Sequence, residues 1–114
     1  MPWGEHQELR KSLQKYGFKA GFLKLVVLKL VSQGPTHGYA LMKRIEELTE
    51  ADWCPSPGSI YPALKELEKE ELITVHDEGR RRLYSITPKG EEMLNKALEH
   101  AAVAMKHLQN LLEA

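Results

Sequence analysis

Apolar residues keep a helical spacing along most of this chain and switch once to strict alternation. The helical spacing begins at Leu9, Leu13 and Tyr16 and thickens through Phe22, Leu23, Leu25, Val26, Val27, Leu28, Leu30 and Val31. A helix apolar on nearly every side is buried on nearly every side. Gly17 and Gly21 kink it or split it in two, and Gly34-Pro35 ends it, because Gly suits a C-terminal cap and Pro cannot continue a helix. Thr36 is a candidate N-cap for a second helix, in which Leu41, Met42, Ile45 and Leu48 share one face. That helix fades at Thr49 to Asp52, and the Pro-rich stretch Trp53 to Gly58 reads as a turn. A third helix follows with Ser56 as cap and Pro57 in its first position. Ile60, Leu64 and Leu67 form its inner face, with Ala63 beside them. Pro62 removes a backbone donor, at small cost if it lies in the first turn.

After Glu71 the period drops from 3.6 to about 2. Leu72 to His76 and Leu83 to Thr87 flank Asp77-Glu78-Gly79-Arg80, the pattern of a hairpin with Tyr84 and Ile86 turned inward. Thr87-Pro88 then opens a last helix, a capping hydroxyl followed by Pro. The order predicts a mainly α fold with a small β-hairpin: a winged helix-turn-helix plus a long C-terminal dimerisation helix. The expected divisions are an N-terminal helical extension over 1–21, a winged helix-turn-helix over 22–87 and the terminal helix over 88–114.

The terminal helix carries its own pattern. Leu94, Leu98, Ala101, Met105, Leu108 and Leu112 are spaced 4, 3, 4, 3, 4, a two-seam heptad widened by Met93, Ala97, Ala104 and Leu111. From Pro88 to Glu113 it would run about 39 Å, longer than the small domain before it can cover. Its apolar face needs a partner, and a second copy of the chain is the simplest one. The other option is a fold-back onto the first helix.

Composition narrows the class without naming a function. One domain is the natural expectation for 114 residues. No span approaches the roughly 20 apolar residues of a membrane helix, and Met1 to Gln14 is polar and mixed in charge, so no signal peptide is expected. Cys54 is the only cysteine, which excludes an intrachain disulfide and fits a reducing cytoplasm. The net charge is zero but unevenly placed: six basic against two acidic side chains over 1–35, seven against ten over 36–87 and three against four over 88–114. A nucleic-acid surface must therefore come from local clustering, for which Arg80-Arg81-Arg82 is the candidate; a solvated turn is the plainer alternative.

The stretch Leu30-Val31-Ser32-Gln33-Gly34-Pro35-Thr36-His37-Gly38-Tyr39-Ala40-Leu41 resembles the opening of PadR-like transcriptional regulators. So does Ser56-Pro57-Gly58-Ser59-Ile60-Tyr61-Pro62-Ala63-Leu64-Lys65-Glu66-Leu67-Glu68, and an Arg-rich wing follows it. The likeness covers about residues 22–95, and the single terminal helix is similar to the short branch of that family. One departure is visible: Glu71 stands where the family has Gly before the first wing strand, at about 1 kcal/mol if Glu71 turns left-handed. Members are typically homodimers joined through terminal helices, and most act as repressors relieved by small molecules or stress. The resemblance implies the same here: a DNA-binding regulator, not an enzyme, with double-stranded DNA and a second copy of itself as partners.

On a helical wheel Gly58, Ser59, Tyr61, Pro62, Lys65 and Lys69 fall outside the inner face, where a recognition helix presents its N-terminal residues to the major groove. Gly58 permits close approach, Ser59 reaches a base or phosphate unless it simply caps, and Lys65 and more weakly Lys69 reach phosphates. For Tyr61 the resemblance implies a phosphate contact; a half-buried ring closing the core edge is the alternative. Arg80 and Arg81 at the wing tip are candidates for minor-groove or backbone contacts, while Arg82 opens the return strand toward an acidic neighbour. Lys15 and Lys19 touch flanking phosphates or simply form a solvated face. His37 and Tyr39 are read as packing and capping residues.

The expected dimer interface is Leu94, Leu98, Ala101, Met105, Leu108 and Leu112. Short-branch relatives hold planar aromatic molecules between protomers, so such a molecule is a candidate effector. Met93, Leu94, Ala97, Met105, Leu9, Leu13 and Tyr16 are candidates for its lining, and a plain dimer core is the alternative. The five histidines and Cys54 lack metal-ligand spacing, so no metal is expected, and no cofactor either. His100 and His107, seven apart on one helix, are the pair to test. No Gly-rich phosphate loop, nucleophile elbow or carboxylate pair is present. Two functions remain: a cytoplasmic, sequence-specific regulator on a palindromic operator, or a winged-helix protein–protein module without DNA binding.

Overall fold

The computed structural model describes residues 20–114, so Leu9, Leu13, Tyr16, Lys15, Lys19 and most of the expected extension lie outside the described residues. Within them the chain forms α1 (Ala20–Val31), α2 (Gly38–Leu48), α3 (Pro57–Lys69), β1 (Ile73–Glu78), β2 (Arg81–Ile86) and α4 (Pro88–Leu112). The core is contiguous: Leu23, Val27 and Val31 of α1 meet Leu41 and Ile45 of α2, Ile60, Leu64 and Leu67 of α3, and Tyr84 of β2. All are apolar or amphipathic groups at the predicted helical or alternate-strand positions. No helix among the described residues is long and apolar enough to cross a membrane.

Two expected details differ. Thr36 does not cap α2: its N–H donates to the Tyr84 carbonyl at 3.0 Å and its carbonyl accepts from Tyr84 N–H at 2.8 Å. The chain thus adds a bridge to the free edge of β2, and His37 becomes the N-cap of α2, with no side-chain cap bond. Leu48, expected on the inner face, is exposed, because α2 is already at its last turn there.

Between α2 and α3 the backbone turns left-handed at Glu50 (φ 51°) and Ala51 (φ 66°), with no glycine to mark the place. L-residues in this conformation cost roughly 1–2 kcal/mol each. The turn is held by Ala51 N–H donating to the Glu46 carbonyl at 2.8 Å. Thr49 reinforces it: its hydroxyl donates to the Ile45 carbonyl at 2.8 Å and accepts from Trp53 N–H at 3.1 Å. Pro57 occupies the first turn of α3, but Pro62 lies one turn deeper than expected. It leaves the Gly58 carbonyl without its intrahelical donor, on the exposed side of the helix.

The wing pairs Ile73 with Ile86 through to Glu78 with Arg81, leaving Gly79-Arg80 as a two-residue loop. Only Gly79 has positive φ (62°), as a type II′ turn requires. Glu71 does take the left-handed conformation (φ 63°) where Gly would be at ease. Helix α4 is clamped to this junction: Thr87 N–H donates to the Leu72 carbonyl at 3.0 Å, and the Thr87 hydroxyl donates to the Glu71 carbonyl at 2.8 Å. The same hydroxyl accepts from Gly90 N–H at 2.9 Å, closing the N-cap.

The expected interface residues on α4 divide into two groups. Leu94 is buried within the protomer's own core, only 4% exposed, and Leu98 packs against that core. The first turns of α4 thus lie on their own domain, with Leu94 enclosed there and Leu98 partly so. Ala101 is half-buried, and Met105, Leu108 and Leu112 are exposed where the helix runs past the domain.

Candidate nucleic-acid interface

Helix α3 sorts its residues as the wheel required. Gly58, Ser59, Tyr61, Pro62, Lys65 and Lys69 are all exposed, while Ile60, Ala63, Leu64 and Leu67 are buried. Ser56 begins the helix without a side-chain cap bond to the backbone; its hydroxyl lies 3.3 Å from that of Ser59. Ser59 is thus not a backbone cap, and its hydroxyl stays at the exposed N-terminal turn. Lys69 sits about 12 Å along the axis from Tyr61, at the far end of the helix.

Glu66 and Glu70, at the C-terminal end of α3, are drawn elsewhere. Lys24 of α1 donates to Glu70 at 3.0 Å and lies 3.4 Å from Glu66. The hydrogen bond to Glu70 holds the Lys24 ammonium above its ordinary pKa, against partial burial. Exposed pairs of this kind add little stability, but they neutralise α3 on the side facing α1.

Tyr61 and the wing arginines meet across a cleft of about 390 Å³. Its floor is the start of α2, and its walls are Tyr61 on one side and Arg80, Arg81 and Arg82 on the other. Gly38 makes the meeting possible: a Cβ there would come within 2.7 Å of the Tyr61 ring. Tyr61 is therefore both packed and accessible, its ring seated on α2 and 45% of it exposed. Arg82 lies 3.7 Å from Asp77, as its place on the return strand suggested. Among the described residues no ion pair engages Arg80 or Arg81. Tyr84 lies beneath, its phenol pushed above the usual range by burial.

Three groups around the cleft were not counted among the expected site residues. His37 Nδ1 lies 2.8 Å from the Arg82 carbonyl and its Nε2 lies 3.7 Å from Glu78, so it ties the wing to the start of α2. Tyr39, expected to pack, is 64% exposed and lines the cleft. Lys43, one turn on, holds its ammonium 5.9 Å from the Tyr39 ring centroid. The signal for Tyr39 was available: it stands two residues from buried Leu41, about 200° around the helix.

No group of three or more potential metal ligands is found among the described residues. Cys54 is exposed and unpaired with any other cysteine.

The family model described as transcriptional regulator PadR-like matches residues 27–96. Transcriptional regulator YqjI of Escherichia coli is 37% identical over 93 residues, covering 81% of this chain and 45% of the relative. The chain thus spans less than half the length of that protein and of its Shigella flexneri counterpart. A solved transcriptional regulator from Clostridium thermocellum superposes with a TM-score of 0.76 at 26% identity, covering 83% of this chain and 94% of that one. A PadR-like transcriptional regulator from Bacillus cereus gives 0.72 at 30% identity, covering 90% and 98%.

Proposed function

The chain belongs to the PadR-like family of transcriptional regulators, and from that premise we propose that it acts as a cytoplasmic homodimeric repressor on a palindromic operator. The family is one of DNA-binding regulators, not of enzymes. In the proposed mode, α3 enters the major groove with Gly58, Ser59 and Pro62 at the base edges. Tyr61, Lys65 and, at the margin, Lys69 contact phosphates, and Arg80 and Arg81 reach the backbone or minor groove from the wing tip.

The observation that carries this reading is local charge. In a chain of zero net charge, Arg80 and Arg81 are exposed, without ion pairs among the described residues, and beside Tyr61 of α3. Guanidinium groups so placed match phosphate oxygens with their forked donors.

Dimerisation is proposed through the distal half of α4. Met105, Leu108, Leu111 and Leu112 are each more than half exposed, and contiguous apolar surface of this kind marks an association face. Ala101 lies at its inner margin. A planar aromatic effector between protomers would have Met93, Ala97 and Met105 to rest against, Leu94 being enclosed in the core.

The test is a DNA-binding titration across salt concentrations, on random DNA and on sites selected from a random pool. Steep salt dependence with a two-fold symmetric preferred site supports the proposal. Binding that is absent, or insensitive to salt, refutes it and leaves the protein–protein module. Within that assay Lys65→Ala and Arg81→Ala should weaken all sequences alike and flatten the salt slope, and Ser59→Ala should alter preference at one position.

A further inference from the structure

We propose that His37 is a positioning residue for DNA binding: its ring fastens the wing tip to the start of α2 and so fixes where Arg80 and Arg81 stand relative to α3. The inference rests on the DNA-binding reading above and adds to it a residue that acts through the wing, without touching DNA itself.

The wing has little else to hold its far end. Its base is anchored in the core by Ile73 and Tyr84, whereas His76, Asp77 and Glu78 of β1 and Arg81 and Arg82 of β2 are all exposed. A two-stranded ribbon without a packed face is marginal in water. Along the outer edge of β2, Thr36 pairs with Tyr84 through both backbone bonds. By the alternation of an antiparallel ladder, the next outward carbonyl toward the tip is that of Arg82. The backbone cannot meet it, because the chain turns into α2 at Gly38.

The His37 side chain meets it instead, with Nδ1 2.8 Å from the Arg82 carbonyl oxygen. A carbonyl only accepts, so Nδ1 is the donor. Nε2 lies 3.7 Å from Glu78 on the other strand, a lesser partner because it pairs with the ring only when that is protonated. The ring is not engaged in capping: His37 stands at the N-cap of α2 without a side-chain bond to it. Both contacts fall within two residues of Arg80. Among the described residues no other hydrogen bond joins the wing beyond Tyr84 to the rest of the domain. A tip left free would have to be ordered each time its arginines met DNA, and that cost subtracts from affinity. The tie removes the cost beforehand, without changing how many phosphates are neutralised.

The test is DNA binding by the full chain across salt concentrations, with thermal unfolding to confirm that each variant folds as the parent does. His37→Ala should weaken binding roughly two- to tenfold for each protomer engaged, the net contribution of one hydrogen bond, with the salt slope unchanged. In an Arg80→Ala, Arg81→Ala background the same change should cost nothing further, because the tip then has no cation to place. His37→Asn should restore much of the parent's affinity, since its amide nitrogen stands about where Nδ1 stands and donates to the same carbonyl. His37→Ser caps a helix about as well as Asn does but is too short to reach Arg82, so it should bind as His37→Ala does.

An equal loss with and without the two arginines overturns the inference, because His37 would then act on the fold at large. A flatter salt slope overturns it by making His37 a phosphate contact, and rescue by Ser as well as Asn overturns it in favour of capping. Should the Arg80→Ala, Arg81→Ala variant bind as the parent does, the tip delivers nothing and the inference fails with it. His37→Ala binding as the parent does overturns the inference and leaves the regulator reading intact, whereas a parent that binds no DNA overturns both.

Discussion

Replacing Gly90 with alanine sets two calculable effects against each other. Alanine is the better helix former by about 1 kcal/mol, so at an open position the change would stabilise α4. Gly90 is not open. Its Cβ would stand 2.1 Å from the Leu72 carbonyl oxygen, 3.0 Å from the carbonyl carbon and 2.8 Å from Cγ1 of Ile86. A backbone carbonyl cannot swing aside like a side chain. Relief requires α4 to lift from the α3–β1 junction, which breaks the bonds from Thr87 N–H to Leu72 and from the Thr87 hydroxyl to Glu71.

Those bonds contribute about 1 kcal/mol each, and residual overpacking costs about 1–3 kcal/mol more. Net of helix propensity, Gly90→Ala should destabilise by about 2–4 kcal/mol. Urea unfolding at fixed protein concentration should show the midpoint falling by at least about 1 M with m unchanged. Gly21→Ala is the control: among the described residues nothing lies within 4 Å of its would-be Cβ, so it should gain up to about 1 kcal/mol. A Gly90→Ala midpoint at or above the parent's would show that α4 does not seat on Leu72, and the clamp described above would be wrong.

Glu71→Gly should relieve the left-handed strain at φ 63° and add about 1 kcal/mol, read as a rise in Tm of roughly 4 °C; an unchanged or lower Tm counts against strain at that turn. Leu108→Arg should leave a folded monomer by sedimentation, because a charge there would have to be desolvated unpaired at the proposed interface; a parent that already sediments as a monomer, or a variant that stays dimeric, refutes the chosen face. The share of stability carried by Lys24 and Tyr84 should be fully present up to about pH 9 and be lost as pH rises through about 10 and above. Lys24 is raised by its hydrogen bond to Glu70 and Tyr84 by burial, so both hold their protons more tightly when folded and that advantage is lost as pH rises. A Lys24→Met, Tyr84→Phe double variant with the parent's alkaline slope would remove these two groups as its cause.

Much of the fold was legible because its signals are local. Pro57 and Pro88 after Ser56 and Thr87, Gly79 at the wing tip and the change of period after Glu71 each act within a few residues. The inner faces of α3 and β2 followed from spacing alone. Less legible were features decided by what arrives from elsewhere. Thr36 has the chemistry of an N-cap, yet its backbone is captured by Tyr84, a residue 48 positions on. Leu94 and Leu108 share one seam by periodicity, but one meets its own core and the other meets solvent. Spacing states which side of a helix is apolar, never against what it rests. The left-handed turn at Glu50 and Ala51 was hidden for another reason: its usual glycine is missing, and the hydrogen bonds of Thr49 compensate.

The zero net charge, which at first weighs against nucleic acid, is resolved by where the charges pair. Charges screen one another over about 8 Å at physiological salt, so the sum over the chain matters less than the neighbourhood. Lys24 takes up Glu66 and Glu70 on the side of α3 that faces α1, leaving Lys65 on the exposed side. Asp77 takes up Arg82 and leaves Arg80 and Arg81. Lys65 and Lys69 on the exposed face of α3, with Arg80 and Arg81 at the wing tip, are the cations without an ion pair among the described residues that the proposed DNA-facing side presents. On the proposed reading, a single protomer then releases few counterions, and its hold on DNA at physiological salt is weak. A second protomer raises affinity by making the next contact intramolecular. On that reading the exposed distal half of α4 and the few cations facing DNA belong to one requirement: a protomer that brings so few phosphate contacts needs its partner to stay on DNA.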